Sequence, residues 1–474
     1  MNKSLSSFIW SLLSKGSTQL INLLFTMTLA RFLSPDDFGT IAVLTVFITI
    51  SNILVDSGLS SSLILEKEIT KEDISTLFTF NTIVSIFLYL LIYICSPLIE
   101  SYFQINNLAT VCRLLCLPII TNALIIVPKT LLVRNLRFDS IFWVQLLSMV
   151  FSCIITLYCV IVHSWKISAL ILYYNLVALL PVFGYWLYNK ELPQLGFKIE
   201  AFKKLFSFGA FNTLSSFVET FYENILSILI GKYLNVTEAG YYTQAKKLEE
   251  VPSRSITELI GGVAFPILCK NNTNEQWFVD KCKIIQSVLY STMFPIMIIL
   301  MIFAHQIIQL CFGYQWANAS EFLTLLSFAG IWIIVENTIR SFIKSLGRAD
   351  LMFKWALIKR SIGIALIIVA LLISTEYLLY GYILSAMIGC FINIYVLSTI
   401  IPYSILQQFL LLIKIFISCV ILLVLCSITN LLFYDNLLLC IVGVGISLVV
   451  YLISLNMFGV KEIKYVFCQI LYRK

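Results

Sequence analysis

The apolar residues of this chain gather into about fourteen blocks of roughly twenty, each the length a helix needs to cross the hydrocarbon core of a bilayer. In that solvent every backbone amide must be satisfied inside the protein, so the blocks read as transmembrane helices. They run over 8–32, 38–62, 76–98, 107–131, 141–162, 166–189, 204–233, 240–268, 281–312, 319–346, 353–374, 378–400, 408–433 and 436–458. Only 12% of the 474 residues are charged, against about 25% in a soluble domain. The first block is too long for the h-region of a secretion signal and lacks a small-residue cleavage site, so it is expected to be the first span. The links are short and leave no room for a soluble domain. The fold class is therefore an all-α polytopic membrane protein. The thirteen cysteines lie mostly inside apolar blocks without metal-ligand spacing and imply neither disulfides nor zinc.

Charge in the links alternates. One set holds Lys67 and Lys71, then Lys129, Arg134 and Arg137, then Lys190, Lys198, Lys203 and Lys204, then Lys270, Lys281 and Lys283, then Arg348. The other set has little beyond Arg31, Lys166 and Lys232. The positive-inside rule places the first set and both termini in the cytoplasm. The net charge of +7 is thus topological, and no nucleic acid is expected as a partner. Trp165, Trp186, Trp316 and Trp355 fall near helix ends, as an interfacial belt requires.

An internal repeat organises the spans. LARFLSPDDFG at 29–39 aligns with IGKYLNVTEAG at 230–240, pairing Arg31 with Lys232, Ser34 with Asn235, Asp37 with Glu238 and Gly39 with Gly240. Ser34 and Asn235 are each followed three residues later by an acid, the spacing of a helix N-cap. RFDSIF at 137–142 and RADLMF at 348–353 form a second, weaker pair at a similar offset. Helices 1–6 and 7–12 are therefore expected to be two parallel repeats forming two lobes around a central cavity, related by an axis along the membrane normal. The corresponding segments are 1–195, 196–402 and, for two extra helices and a tail, 403–474.

These motifs carry a family likeness. LARFLSPDDFG, the stretch LIGKYLNVTEAGYYTQAKKLEEVPSRSITELIGGVAFPIL at 229–268, PKTLLVRNLRF at 128–138 and SLGRADL at 345–351 resemble the Wzx-type polysaccharide repeat-unit flippases of the multidrug/oligosaccharidyl-lipid/polysaccharide exporter superfamily. The resemblance spans essentially the whole chain. It implies a multi-pass transporter of the bacterial inner membrane that flips undecaprenyl-pyrophosphate-linked glycans for O-antigen, capsule or exopolysaccharide, with no cofactor. Its partners would be the lipid-linked glycan, membrane lipids and other polysaccharide-assembly proteins, with a monomer as the transport unit. One departure matters. Related sequences often carry an Asp four residues before the Ile-Gly-basic triplet, where this chain has Leu226.

Charged residues inside hydrocarbon cost roughly 2.5–3.5 kcal/mol each and so face protein or water. Helix 1 aligns Ser11, Lys15, Thr18, Gln19, Asn22 and Thr26 on one stripe. Helix 7 carries Glu219 and Glu223, and helix 8 carries Lys246, Glu250 and Arg254 with Lys247 and Glu249 alongside. Helix 10 repeats the device with Glu336, Arg340 and Lys344. One reading is a wet, basic cavity. Lys15, Gln19, Asn22, Tyr241, Tyr242, Gln244, Lys246, Lys247 and Arg254 would bind diphosphate and sugar, while Glu219, Glu223, Glu250, Glu336 and Arg340 would serve ion coupling or gating. The other reading is intrahelical pairing, with Arg340, Lys344, Lys359 and Arg360 snorkelling to the cytoplasmic face.

No nucleotide-binding G-x-x-x-x-G-K-[ST] loop and no H-E-x-x-H occur, and the histidines are His163 and His305 alone. The outward links are too short for the acidic and basic groups a polysaccharide polymerase or ligase needs, so an enzyme is not expected. An exporter of small amphipathic cations is the alternative transporter, but it calls for a cavity dominated by acids rather than by Lys15, Lys246, Lys247 and Arg254.

Overall fold

Local capping chemistry sets the first helix boundaries. The computed structural model describes residues 3–66, 69–189, 193–259, 268–269, 274–434 and 436–460. Ser34 Oγ accepts from the amide of Asp37 (3.3 Å) while Asp37 Oδ2 accepts from the amide of Ser34 (3.1 Å), and Pro35 fills the first helical position. This box starts α2 (Pro35–Asp56), after α1 (Lys3–Leu29). Two consecutive left-handed residues, Ser57 (φ 45°) and Gly58 (φ 65°), end α2 well before the expected residue 62 and divert the chain into the short α3 (Leu59–Leu65). Thr70 and Asp73 form a second capping box for α4 (Lys71–Phe103). The expected span 107–131 is broken near Cys116 into α5 (Leu108–Leu115) and α6 (Pro118–Arg134), because Pro118 starts a new helix.

The chain continues through α7 (Phe138–His163), α8 (Ile167–Tyr188), α9 (Ile199–Tyr233) and α10 (Val236–Leu259). Next come α11 (Glu275–Ile302), α12 (Ala304–Phe312), α13 (Ala319–Ser345) and α14 (Ala349–Ile373), then α15 (Leu378–Ile400), α16 (Ile405–Phe433) and α17 (Leu437–Met457). Among the described residues eleven helical stretches are long and apolar enough to cross a membrane. The three expected spans outside that set are helical as α1, α9 and α10. They are the segments whose sequences are polar on one side; residues 260–267 of the expected eighth span lie outside the described residues.

Proline inside a membrane helix frees the carbonyl four residues earlier, which must then find another donor. Pro97 frees Tyr93 O, taken by the Ser96 hydroxyl at 2.8 Å. Pro128 frees Leu124 O, which receives the Trp186 indole N–H at 3.0 Å. Pro295 frees Ser291 O, which receives the Tyr451 hydroxyl at 3.0 Å. Trp186 is thus a packing residue, and Trp316 is fully buried beside Phe312, so neither belongs to an interfacial belt. Trp165 remains exposed.

Two compact units are distinguished by their internal packing, Met1–Thr243 and Gln244–Lys474. In the first, α1 packs on α7, α7 on α8, α8 on α6, and α6 on α2 and α4; α9 lies along α2, α3 and α4. In the second, α15 packs against both α13 and α14, and α11 against α13 and α16, with α17 on α16. Phe416 of α16 stacks within 5.5 Å of Phe294 and of Trp332, and Tyr403 donates to Gln286 Oε1 at 2.8 Å. The last two helices therefore share the hydrophobic core of the second unit.

The sequence repeat has a physical counterpart inside the first unit. A Cβ on Gly39 would lie 1.8 Å from Val236 O, and one on Gly240 would lie 2.1 Å from Pro35 O. Gly39 aligns with Gly240 and Pro35 with Val236, so the first turns of α2 and α10 meet reciprocally, as two copies do across a twofold axis. Thr237 donates its hydroxyl to Asp36, its own counterpart in the repeat. Asn235 caps α10 by accepting from the amide of Glu238 at 2.7 Å.

Gly39→Ala should therefore lower the thermal unfolding midpoint in detergent by on the order of 5 °C, the scale of forcing a methyl into a packed contact. Gly16→Ala is the control, since a Cβ there meets nothing within 4 Å. Equal midpoints for the two variants would contradict the close contact.

Candidate functional site

A polar stripe on α9 faces a polar stripe on α2. Thr213, Ser216 and Thr220 recur at the helical spacing that keeps one face, and so do Thr49, Asn52 and Asp56. Together with Ile53 and Gly58 they line a cleft of about 360 Å³ in the first unit. The early end of α2 at Ser57 and Gly58 opens its floor. Asp56 accepts from the Ser60 hydroxyl, and Asn52 Oδ1 accepts from Asn122 of α6 at 3.3 Å, which carries the polar surface onto a third helix.

Two turns along α6 from Asn122 is Lys129, half-buried and interacting electrostatically with both Lys15 of α1 and Asp56 of α2. The sequence placed Lys129 in a cytoplasmic link; it lies within α6, beside Pro128. Two cations from separate helices are thus electrostatically linked to Asp56, a lining residue of a cleft of hydroxyl, amide and carboxylate groups. Such a combination suits a diphosphate carrying a sugar, with ammonium groups as charge-assisted donors to phosphate oxygens.

The expected stripe on α1 divides. Lys15 and Asn22 are exposed, and Asn22 Oδ1 accepts from the Tyr173 hydroxyl at 3.3 Å. Gln19 is half-buried. Thr18 and Thr26 instead turn back on their own helix, donating to Ser14 O and Asn22 O at 2.8 Å each. Tyr241, Tyr242 and Gln244 are buried, and neither polar atom of the Gln244 amide has a hydrogen-bond partner. Lys246, Lys247 and Glu250 are half-buried on α10. Arg254 belongs to α10, but its side chain lies outside the described residues. Glu249 is buried where Gly330 of α13 makes room, its Oε1 only 2.7 Å from where a Cβ on that glycine would lie.

Glu223 is exposed and continues the α9 stripe one turn past Thr220, while Glu219 is half-buried to one side. Leu226, at the position where related sequences often carry Asp, is packed into the core. Glu336 of α13 is no open acid. Lys359 of α14 donates to its Oε1 at 2.9 Å and to Asn393 Oδ1 of α15 at 2.9 Å, Arg360 lies at 3.6 Å, and Asn393 returns a bond to Glu336 O at 3.0 Å. Gly389 of α15 makes room for this carboxylate. Lys359 is buried, so it does not snorkel. Arg340 acts electrostatically on the same carboxylate from one turn further along α13, and Lys344 is exposed. Three helices are pinned by this cluster.

Asp56, Asn52 and the Thr213–Ser216–Thr220 stripe went unmarked in the sequence, and Lys129 reads there as a topological charge rather than a site residue. The usable signal was the periodicity of α9, where hydroxyl residues precede Glu223 on one face.

Residues 28–321, more than half of the chain, match the family described as polysaccharide biosynthesis protein. Among curated relatives, the teichuronic acid biosynthesis protein TuaB of Bacillus subtilis is 27% identical over 310 residues, 64% of this chain and 63% of TuaB. That match covers less than two thirds of TuaB. The lipopolysaccharide biosynthesis protein WzxC of Escherichia coli is 25% identical over 85% of both chains. The succinoglycan biosynthesis transport protein ExoT of Rhizobium meliloti is 26% identical over 74% of this chain and 71% of ExoT. Among solved structures, the inward closed conformation of the lipid II flippase MurJ superposes with a TM-score of 0.75 at 18% identity, covering 98% of this chain and 100% of that one. An inward-facing multidrug resistance MATE transporter of the MOP superfamily gives 0.64 at 13% identity, over 81% of this chain and 95% of that one. The fold is thus that of MurJ and the MATE transporters.

Lys359→Met removes the nearest partner of a buried carboxylate that Arg360 still holds at 3.6 Å, and should cost about 1–3 kcal/mol of stability. Glu336→Gln should cost a similar amount, and the double variant should lose less than the two single losses added together, because the residues are directly paired. Thermal unfolding of the purified variants checks this, and strictly additive losses would contradict the pairing.

Proposed function

Because this chain belongs to the polysaccharide biosynthesis protein family, we propose that it is a transporter, not an enzyme, that flips undecaprenyl-pyrophosphate-linked repeat units from the cytoplasmic to the periplasmic leaflet for assembly of a surface polysaccharide. The observation that carries this reading is the polar α2–α9 cleft, whose Asp56 interacts electrostatically with Lys129, which in turn interacts with Lys15. A lipid-linked glycan joins a diphosphate to sugars, and neither can enter hydrocarbon unaided. The lysines supply the charge and the cleft supplies the hydrogen bonds that water otherwise gives, while the lipid tail stays in the bilayer. The relatives TuaB, WzxC and ExoT, proteins of teichuronic acid, lipopolysaccharide and succinoglycan biosynthesis, and the fold shared with a lipid II flippase support the same reading.

The positive-inside rule puts the Pro35 end of α2 on the periplasmic side and both termini in the cytoplasm. Asp56 is roughly 30 Å along the helix from that end. The cleft then sits in the cytoplasmic half, where the substrate is made. On this reading the close approach of Gly39 and Gly240 lies at the periplasmic end and would part when the transporter opens outward. Repeats 1–195 and 196–402 are the bodies that rock. The buried Gln244 amide would gain partners when they do. Glu223 on the cleft stripe is a better coupling residue than Glu336, which is already neutralised.

Proteoliposomes carrying a fluorescent polyprenyl-pyrophosphate oligosaccharide test the proposal. Leaflet transfer is expected, and Lys15→Ala with Lys129→Ala should slow it by roughly ten- to a hundredfold, the loss of a charge-assisted bond. No transfer with several glycans would overturn the reading.

A further inference from the structure

We propose that the α2–α9 cleft holds the sugar nearest the diphosphate, and that Asp56 selects an uncharged or amino-bearing sugar there over an acidic one. The inference rests on the flippase reading and names what that site accepts. Its first support is the lining. Asn52, Ser216 and Thr220 offer amide and hydroxyl groups, Thr49 donates its hydroxyl to Thr45 O at 2.8 Å and keeps only acceptor positions, and Ile53 offers an apolar surface for the C–H face of a ring. Among the described residues, no lysine or arginine lines the cleft itself. Hydroxyl-rich, cation-free surfaces fit sugar hydroxyls and do not fit phosphate. The volume of about 360 Å³ falls at the lower end of small-molecule sites, roughly 300–1,000 Å³, which limits the occupant to one or two rings.

The second support is the position of the charges. Lys129 interacts electrostatically with both Asp56 and Lys15, so the cationic pair and the carboxylate share one neighbourhood. With the diphosphate on the lysines, the group that reaches Asp56 is the first sugar, because it is bonded directly to the phosphate. Asp56 spends part of its acceptor capacity on Ser60, and a carboxylate has about four acceptor positions, so hydroxyl or ammonium donors of a ligand can still be accommodated. A uronate in the same place would bring a second carboxylate against Asp56 in a partly desolvated cleft. Like charges so placed are rejected, and rejection sets specificity as effectively as a good fit does.

The test uses the full-length protein in proteoliposomes and a matched pair of polyprenyl-pyrophosphate disaccharides. The two differ only at the phosphate-linked sugar, an N-acetylhexosamine in one and the corresponding uronic acid in the other. The wild-type protein should move the neutral compound faster by roughly tenfold or more, the scale of a like-charge contact at a recognition site. Asp56→Asn should shrink the ratio to about threefold or less, since the repulsive element is gone. Equal rates for the two compounds with the wild-type protein would overturn this inference while leaving the flippase reading standing. A ratio unchanged in Asp56→Asn would do the same. Transfer of neither compound would sink both. The wild-type ratio decides the matter by itself where the variant does not accumulate in the membrane.

Discussion

A polar group in hydrocarbon must find its partner within the protein, and much of this structure follows from that demand. Prolines at 97, 128 and 295 each free a carbonyl, and in each case a hydroxyl or indole takes it up. The same demand explains the Glu336–Lys359–Asn393 cluster, where charges and an amide from three helices satisfy one another out of reach of water. Pinned in this way, α13, α14 and α15 are suited to move as one body.

Against that background, groups not consumed by packing stand out. Thr18 and Thr26 on α1 return their hydroxyls to the helix, so their place on a polar stripe carries no ligand. Asp56 of α2 and the Ser216 and Thr220 hydroxyls of α9 are different, because they line an open cleft, and Lys129 of α6 interacts electrostatically with Asp56 and with Lys15 of α1. The helices that line or flank this region include α1 and α9, which are too polar to count as ordinary spans. Their polarity is the local cost of a site that must handle sugars and phosphate inside a membrane.

Much of the fold was legible in the sequence. Block length located the helices, the Ser34 and Asn235 spacings marked two caps that the structure contains, and the repeat pointed to a pair of turns that meet at Gly39 and Gly240. What escaped was set by tertiary placement. The break at Pro118 and the turn at Ser57 and Gly58 are small local events inside apolar runs, and hydropathy averages over them. Lys129 read as a link residue because its distance from a helix end gave no sign that α1 and α2 would bring Lys15 and Asp56 alongside it. Conversely, Tyr241, Tyr242 and Gln244, read from the sequence as sugar-binding groups, are buried in this conformation. Residues within a family motif can serve packing as well as binding.

The central claim is that the glycan of a lipid-linked intermediate occupies the cleft between α2 and α9 in the first unit. The most direct measurement is photo-crosslinking with a photoreactive residue in place of Ser216, using membranes that contain a radiolabelled polyprenyl-pyrophosphate oligosaccharide. The account predicts a labelled adduct whose label survives removal of the lipid by mild acid and which excess unlabelled compound suppresses. A preparation that transports the compound but forms no sugar adduct at 216 would contradict it.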